Sequence, residues 1–260
     1  MANLMFTTAD RDALRETLID AARADNRIVA AALTGSRALG QEDEWSDIDL
    51  AFALRPDADR SDVIDDWTAR MYNHGAVHHV DVIRGPAVYR VFMLANTLQV
   101  DIAFWPESEF GAIAASFRLL FGSGNSRPSV PSSSFEELVG MAWLYGLHAR
   151  SSIARGRVWQ AEYMISGMRD YVMALACLRH GLPPVYARGA DRLPAPIVNT
   201  FNTTLVRSLD ERELGRAFAT VCDLLLTEAN ASDIKLGDRL ASPVSALRDF
   251  GLATERKDTR

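Results

Sequence analysis

The chain has 260 residues, 48% of them apolar, a formal net charge of −6 and two cysteines. That is enough apolar material for a real core in one large or two small domains, and no apolar run approaches the ~20 residues that crossing a bilayer requires. Acids and bases are interspersed, without the basic stripe of a general nucleic-acid binder. Cys177 and Cys222 lie in apolar helical patterns, the setting of buried free thiols and not of a disulfide or metal site. The first residues show no basic segment leading into an apolar run, so a cytoplasmic protein without a membrane partner is expected.

In chain order, Thr8 to Ala24 repeats Leu14, Leu18 and Ala21-Ala22 at helical spacing, and Asn26 ends that helix. Arg27 to Thr34 is a near-continuous apolar run, the mark of a buried strand. A short helix begins at Ser36, and Gln41 to Glu44 is a polar loop. Ser46 to Leu54 reads as the second strand, stopped by Pro56. Ser61 is placed to cap a helix running to Asn73, with Val63, Ile64 and Trp67 on its inner face. Three further strands follow: Ala76 to Arg84, Val88 to Leu94 and Leu98 to Trp105. Pro106 ends the sheet.

Beyond it the pattern turns helical. Ser108 to Leu120 reads as a helix, and Gly122 to Ser134, rich in Gly, Ser and Pro, as a linker. Ser133 with Glu136 fits a capping box for a helix to about Ile153. Further helices are expected over Arg157 to His180, Pro194 to Ser208, and from Asp210 to about Asn230, with Ser242-Pro243 opening a short last one. The expected fold class is α+β, an N-terminal mixed sheet with helices followed by a C-terminal helical bundle. The expected domains are residues 1–120 and 121–260.

Three motifs in the first half point to chemistry. Leu33-Thr-Gly-Ser-Arg-Ala-Leu-Gly40 reads as a strand end, a tight turn and a helix start, an arrangement that gathers backbone N–H groups as a phosphate needs. In Ser46-Asp-Ile-Asp-Leu50 the aspartates Asp47 and Asp49 are two apart, so on a strand they share one face while Ile48, Leu50 and Phe52 take the other. Carboxylates so close repel unless a cation lies between them, and hard oxygen donors suit Mg²⁺. Asp101 leaves its own strand on the face opposite Val100, Ile102 and Phe104. His74, His78 and His79 have the composition of a metal cluster, but adjacent strand residues face opposite ways and do not share a site.

Gly35-Ser36-Arg37, Asp47-Ile48-Asp49 and Asp101, in that order, resemble the nucleotidyltransferase superfamily that includes DNA polymerase beta. Within it the chain is similar to the small-molecule branch of aminoglycoside and lincosamide nucleotidyltransferases. The resemblance covers about the first 110 residues and implies a polymerase beta-like fold there. It implies two Mg²⁺ ions on Asp47, Asp49 and Asp101, and a nucleoside triphosphate, ATP by expectation, held at Gly35, Ser36 and Arg37. It implies transfer of a nucleoside monophosphate to a hydroxyl of a small molecule, as in antibiotic resistance.

The acceptor would be met in the helical half. There Trp159, Glu162, Tyr163, Ser166, Arg169 and Asp170 fall near one helix face. Trp159, Glu162, Tyr163 and Asp170 are the candidate acceptor contacts, Glu162 the candidate base and Arg169 a further candidate for the phosphates. The expected state is a monomer or homodimer without a nucleic-acid partner. Modification of a protein or RNA, or a catalytically inactive nucleotide-binding regulator, are the alternative readings.

Overall fold

The computed structural model describes residues 5–112, 116–126 and 133–255. The chain divides into two compact units, Met1–Val130 and Pro131–Arg260. The first is a mixed sheet packed with helices and the second is all helical, which is the expected fold class.

The first unit opens with α1 (Thr8–Ala24), capped by a reciprocal pair between Thr7 and Asp10. It continues through β1 (Ile28–Thr34), α2 (Gly35–Ala38), β2 (Ile48–Leu54), α3 (Arg60–Asn73), β3 (Ala76–Arg84), β4 (Ala87–Leu94) and β5 (Gln99–Pro106). Short β6 (Gly111–Ala112), β7 (Phe117–Phe121) and β8 (Asn125–Ser126) follow. The main sheet has the order β3-β4-β5-β2-β1-β7. Its β2–β5 pair is parallel, and its other pairs are antiparallel.

Strand alternation sorts the two faces. Leu33, Ile48, Leu50, Phe52, Val100, Ile102 and Phe104 join Leu18, Val63, Trp67 and Met71 of α1 and α3 in one core. The Phe52 and Trp67 rings lie 4.7 Å apart. On the opposite face the same strands carry the small side chains Ala30, Ala32, Ala51, Ala53 and Ala103, bordered by Trp105 and Phe110.

Two local expectations change here. Asp59, not Ser61, caps α3, accepting from the backbone N–H groups of Ser61 and Asp62. The helix expected over Ser108 to Leu120 is instead a single turn at Glu107–Glu109, then β6 and β7. β7 pairs with the otherwise open edge of β1, and Phe117 packs on Phe110 with ring centroids 5.5 Å apart. Tertiary pairing overrides local preference here. Residues 127–132 of the expected linker lie outside the described residues.

The second unit holds α4 (Phe135–Ala154), α5 (Val158–Arg179), α6 (Ala195–Asn202), α7 (Glu211–Ser232) and α8 (Ile234–Glu255). Ile165, Met168, Val172, Phe218, Leu225 and Leu247 are among its core residues. Cys177 and Cys222 are free, buried thiols. Burial raises both thiol pKa values. The cap of α4 sits one residue later than expected, with the Glu137 N–H donating to Ser134 Oγ at 3.1 Å. Asp210 caps α7 as its sequence suggests. No helix among the described residues is long and apolar enough to cross a membrane.

The last helix departs most from expectation. Pro243 does not open it but lies inside it. The start is made ten residues earlier by Asp233, whose Oδ1 accepts from the N–H groups of Lys235 (2.9 Å) and Leu236 (3.1 Å). Val244 and Leu247 are buried beside the exposed proline, so packing outweighs the missing N–H donor to the Arg239 carbonyl. Pro243→Ala should restore that hydrogen bond and stabilise the protein by about 1–3 kcal/mol. Thermal or urea unfolding checks this, and an unchanged or lower midpoint contradicts it.

Candidate active site

The parallel pairing of β2 with β5 sets Asp49 directly opposite Asp101 in register. Asp47 comes one residue before β2 begins, so it stands outside the strand on which it was expected. One carboxylate oxygen from each of Asp47, Asp49 and Asp101 lies within 4.8 Å of the others, and all three residues are half-buried. Two strands and the approach to one of them thus gather three acids on one sheet face.

That proximity has an electrostatic cost. Burial, and then the charge of Asp47, push the Asp101 carboxyl up to about 6, against an opposing hydrogen bond from Gln99. The Gln99 amide Nε2 donates to Asp101 Oδ1 at 2.9 Å and to Asp47 Oδ2 at 3.3 Å, bridging two of the acids. Gln99 was not expected here, although its position two residues before Asp101 on a strand puts it on the same face. A convergent, all-oxygen set carrying surplus negative charge fits a hard divalent cation.

Gly35 adjoins this group. Its φ of +62° is left-handed, and a Cβ there would strike the Asp49 carboxylate. The residue is therefore confined to glycine by backbone conformation and by space at once. Ser36 is the second residue of α2, and its carbonyl accepts from the N–H groups of Leu39 and Gln41. Arg37 reaches Glu42, with NH1 3.1 Å from Oε2. Its Nε is buried with no hydrogen-bond partner among the described residues.

The candidates in the helical unit lie along α5. Glu162, Tyr163 and Asp170 line an open groove of about 300 Å³ together with Tyr145 and Tyr171. Ser166 Oγ donates to Glu162 Oε1 at 2.6 Å. The Tyr145 and Tyr171 rings meet edge to face at 5.3 Å, and the Tyr145 ring lies over Gly167, where a Cβ would collide with it. Tyr163 is 64% exposed. Trp159, 74% exposed, does not line that groove. Arg169 turns its NH2 toward Asp170 at 3.4 Å and is likewise absent from the lining. Tyr145 and Tyr171 carry no motif that would have marked them in advance.

Residues 15–112 match the family model of the nucleotidyltransferase domain. That segment holds all three aspartates, Gln99 and the Gly35 turn. With the carboxylate geometry, the match supports the general polymerase beta-like nucleotidyltransferase superfamily and nucleotidyltransferase activity as a class, without selecting a branch. Among solved structures, an aminoglycoside 6-adenyltransferase from Bacillus subtilis is 12% identical. The alignment covers 92% of this chain and 98% of that one at a TM-score of 0.38, a likeness from which no activity is carried across. A search of curated proteins finds no match.

Two consequences can be measured. An unfolded aspartate titrates near 3.9, whereas Asp101 in the fold titrates at about 6. Between those values the folded state keeps a proton that the unfolded state has lost, so stability falls as pH rises through the window and stays reduced above it. Asp101→Asn should therefore raise the melting temperature by a few degrees at pH 7.5 in EDTA, with the gain fading toward pH 5; equal gains at both pH values would contradict the assignment. Gly35→Ala should displace the Asp49 carboxylate and lower nucleotidyl transfer by about two orders of magnitude. A pyrophosphate-release assay reads this, beside a melting curve that confirms folding.

Proposed function

We propose that the protein is a Mg²⁺-dependent nucleotidyltransferase that moves a nucleoside monophosphate, AMP from ATP in the first instance, to a hydroxyl of a small molecule. The convergence of Asp47, Asp49 and Asp101 within 4.8 Å carries this reading. In the reaction the acceptor oxygen bonds to the α-phosphorus while the bond from that phosphorus to the bridging oxygen of the β-phosphate breaks. Pyrophosphate leaves with the electron pair. Two bound Mg²⁺ ions would supply charge neutralisation for the triphosphate and for the attacking and leaving oxygens.

The chain's own groups divide the remaining work. Asp47, Asp49 and Asp101 hold the ions, and Gln99 orients two of those carboxylates from one amide. Gly35 leaves room for Asp49, while Ser36 and Arg37 are proposed to hold phosphate oxygens. The geometry of Arg37 allows this in part, since one guanidinium nitrogen is engaged by Glu42 and its side chain is 43% exposed. Arg169 is retained as a further phosphate ligand.

In the helical unit, Trp159, Glu162, Tyr163 and Asp170 are proposed to bind the acceptor, with Glu162 receiving the hydroxyl proton. The α5 groove sets two carboxylates among three phenol rings. That composition favours a cationic, polyhydroxylated molecule, through charge pairing and cation–π contact. An aminoglycoside has this chemistry, and a role in antibiotic resistance in a cytoplasmic monomer or homodimer would follow.

The test is a pyrophosphate-release screen of each nucleoside triphosphate with Mg²⁺ against a panel of aminoglycosides and lincosamides. Release should require one acceptor and one preferred nucleotide. Asp49→Asn should abolish it while leaving the circular-dichroism spectrum unchanged. Full turnover by that variant, or no release with any pair, would overturn the proposal.

A further inference from the structure

The sheet ladder fixes two of the three aspartates and leaves the third to other means. Asp49 and Asp101 are locked by in-register pairing. Asp47 lies before β2, at the end of a loop that belongs to no strand. Within that loop, Asp43 and Ser46 hold each other, with Asp43 N–H donating to Ser46 Oγ and Ser46 Oγ donating to Asp43 Oδ1, both at 2.9 Å. These bonds close the loop on itself without attaching it to the sheet.

Gln99 of β5 meets only the Asp47 side chain, at 3.3 Å; the loop backbone is held from α1. Arg11 is 3% exposed and Arg15 2% exposed, on the same buried face of α1 as Leu18 and Ala22. Burying a guanidinium costs several kcal/mol unless it is paired and fully hydrogen-bonded. Both arginines meet the Glu42 carboxylate, itself 6% exposed, with Arg15 NH1 at 2.5 Å and Arg11 Nε at 3.3 Å from Oε1. Arg11 NH1 also donates to the backbone carbonyls of Asp43 and, at 3.2 Å, of Ser46. The Ser46 carbonyl and the Asp47 nitrogen share one planar peptide group. Holding that oxygen therefore fixes the plane from which the Asp47 side chain departs.

We infer that Arg11 is a positioning residue of the metal site, fixing the Ser46–Asp47 peptide from α1, with Glu42 holding Arg11 and Arg15 in register for that task. The inference rests on the reading of Asp47 as a metal ligand. It differs from a purely structural role in the sign of one effect. Removing a positive charge close to a cation site strengthens cation binding on electrostatic grounds alone. Removing a positioning group weakens it, by about 10–100-fold where outer-shell partners of metal ligands have been altered.

The experiment is a Mn²⁺ titration of the purified full chain, reading free Mn²⁺ by electron paramagnetic resonance, with a melting curve for every variant. Arg11→Met should raise the Mn²⁺ dissociation constant about ten-fold or more. Arg11→Lys keeps the charge but puts all its donors on one nitrogen, without the planar fork by which Nε meets Glu42 and NH1 the two carbonyls, so a several-fold rise is expected there too. Unchanged or tighter binding in folded Arg11→Met overturns the inference; should that variant not fold, unchanged binding in Arg11→Lys overturns it. Asp49→Asn separates the two levels. If wild type and Asp49→Asn bind Mn²⁺ equally, the metal reading falls and this inference with it.

Discussion

Three carboxylates confined within 4.8 Å of one another are the constraint on which the rest of the first unit depends. Like charges at that range repel, and the Asp47 charge adds to the larger effect of burial in raising the Asp101 pKa. A fold tolerates such a grouping when the backbone leaves the side chains nowhere else to go. Here the parallel register of β2 and β5 does most of that, because a one-residue slip would turn Asp49 and Asp101 into the core and Leu50 and Ile102 out of it. The large apolar core against α1 and α3 thus enforces the polar cluster on the opposite side of the same strands.

Around that constraint the neighbouring residues take complementary parts. Gly35 contributes by having no side chain where the Asp49 carboxylate sits. Gln99 contributes one amide that satisfies two acids at once. Arg11 acts at a distance, through the backbone of the loop and not through a carboxylate. Strand pairing, packing space and side-chain hydrogen bonding each fix a different aspartate or a different atom of one.

Much of this was readable from residue order, and the exceptions share a cause. Alternation in Asp47 to Phe52 and in Gln99 to Phe104 assigned the strands and put the three acids on one face. Helical spacing found α1, α3, α5 and α7 to within a few residues. Patterning failed where distant partners decide the outcome. Phe117–Phe121 became a strand because β1 offered a free edge. α8 ran through Pro243 because Val244 and Leu247 had a core to enter. Arg11 and Arg15 fall on the same α1 face as Leu18 and Ala22, but spacing cannot supply the partner that makes two buried guanidiniums tolerable there; Glu42, 27 residues beyond Arg15, joins Asp12 in pairing them. For α5, spacing grouped six polar or aromatic residues on one side, but the groove itself depends on Tyr145 from α4, which no periodicity within α5 can reveal.

The topology also governs when the site comes into being. β2 and β5 are hydrogen-bonded neighbours, yet α3, β3 and β4 all intervene between them in the chain. Asp101 therefore cannot reach Asp49 until the whole segment through Pro106 is available to complete the parallel pair. A polypeptide still emerging from the ribosome, or one interrupted within that stretch, carries the Asp-Ile-Asp dyad without Asp101 beside it. Such non-local closure is among the slower steps of folding, so the growing chain does not bring its three carboxylates together until its sheet is nearly finished.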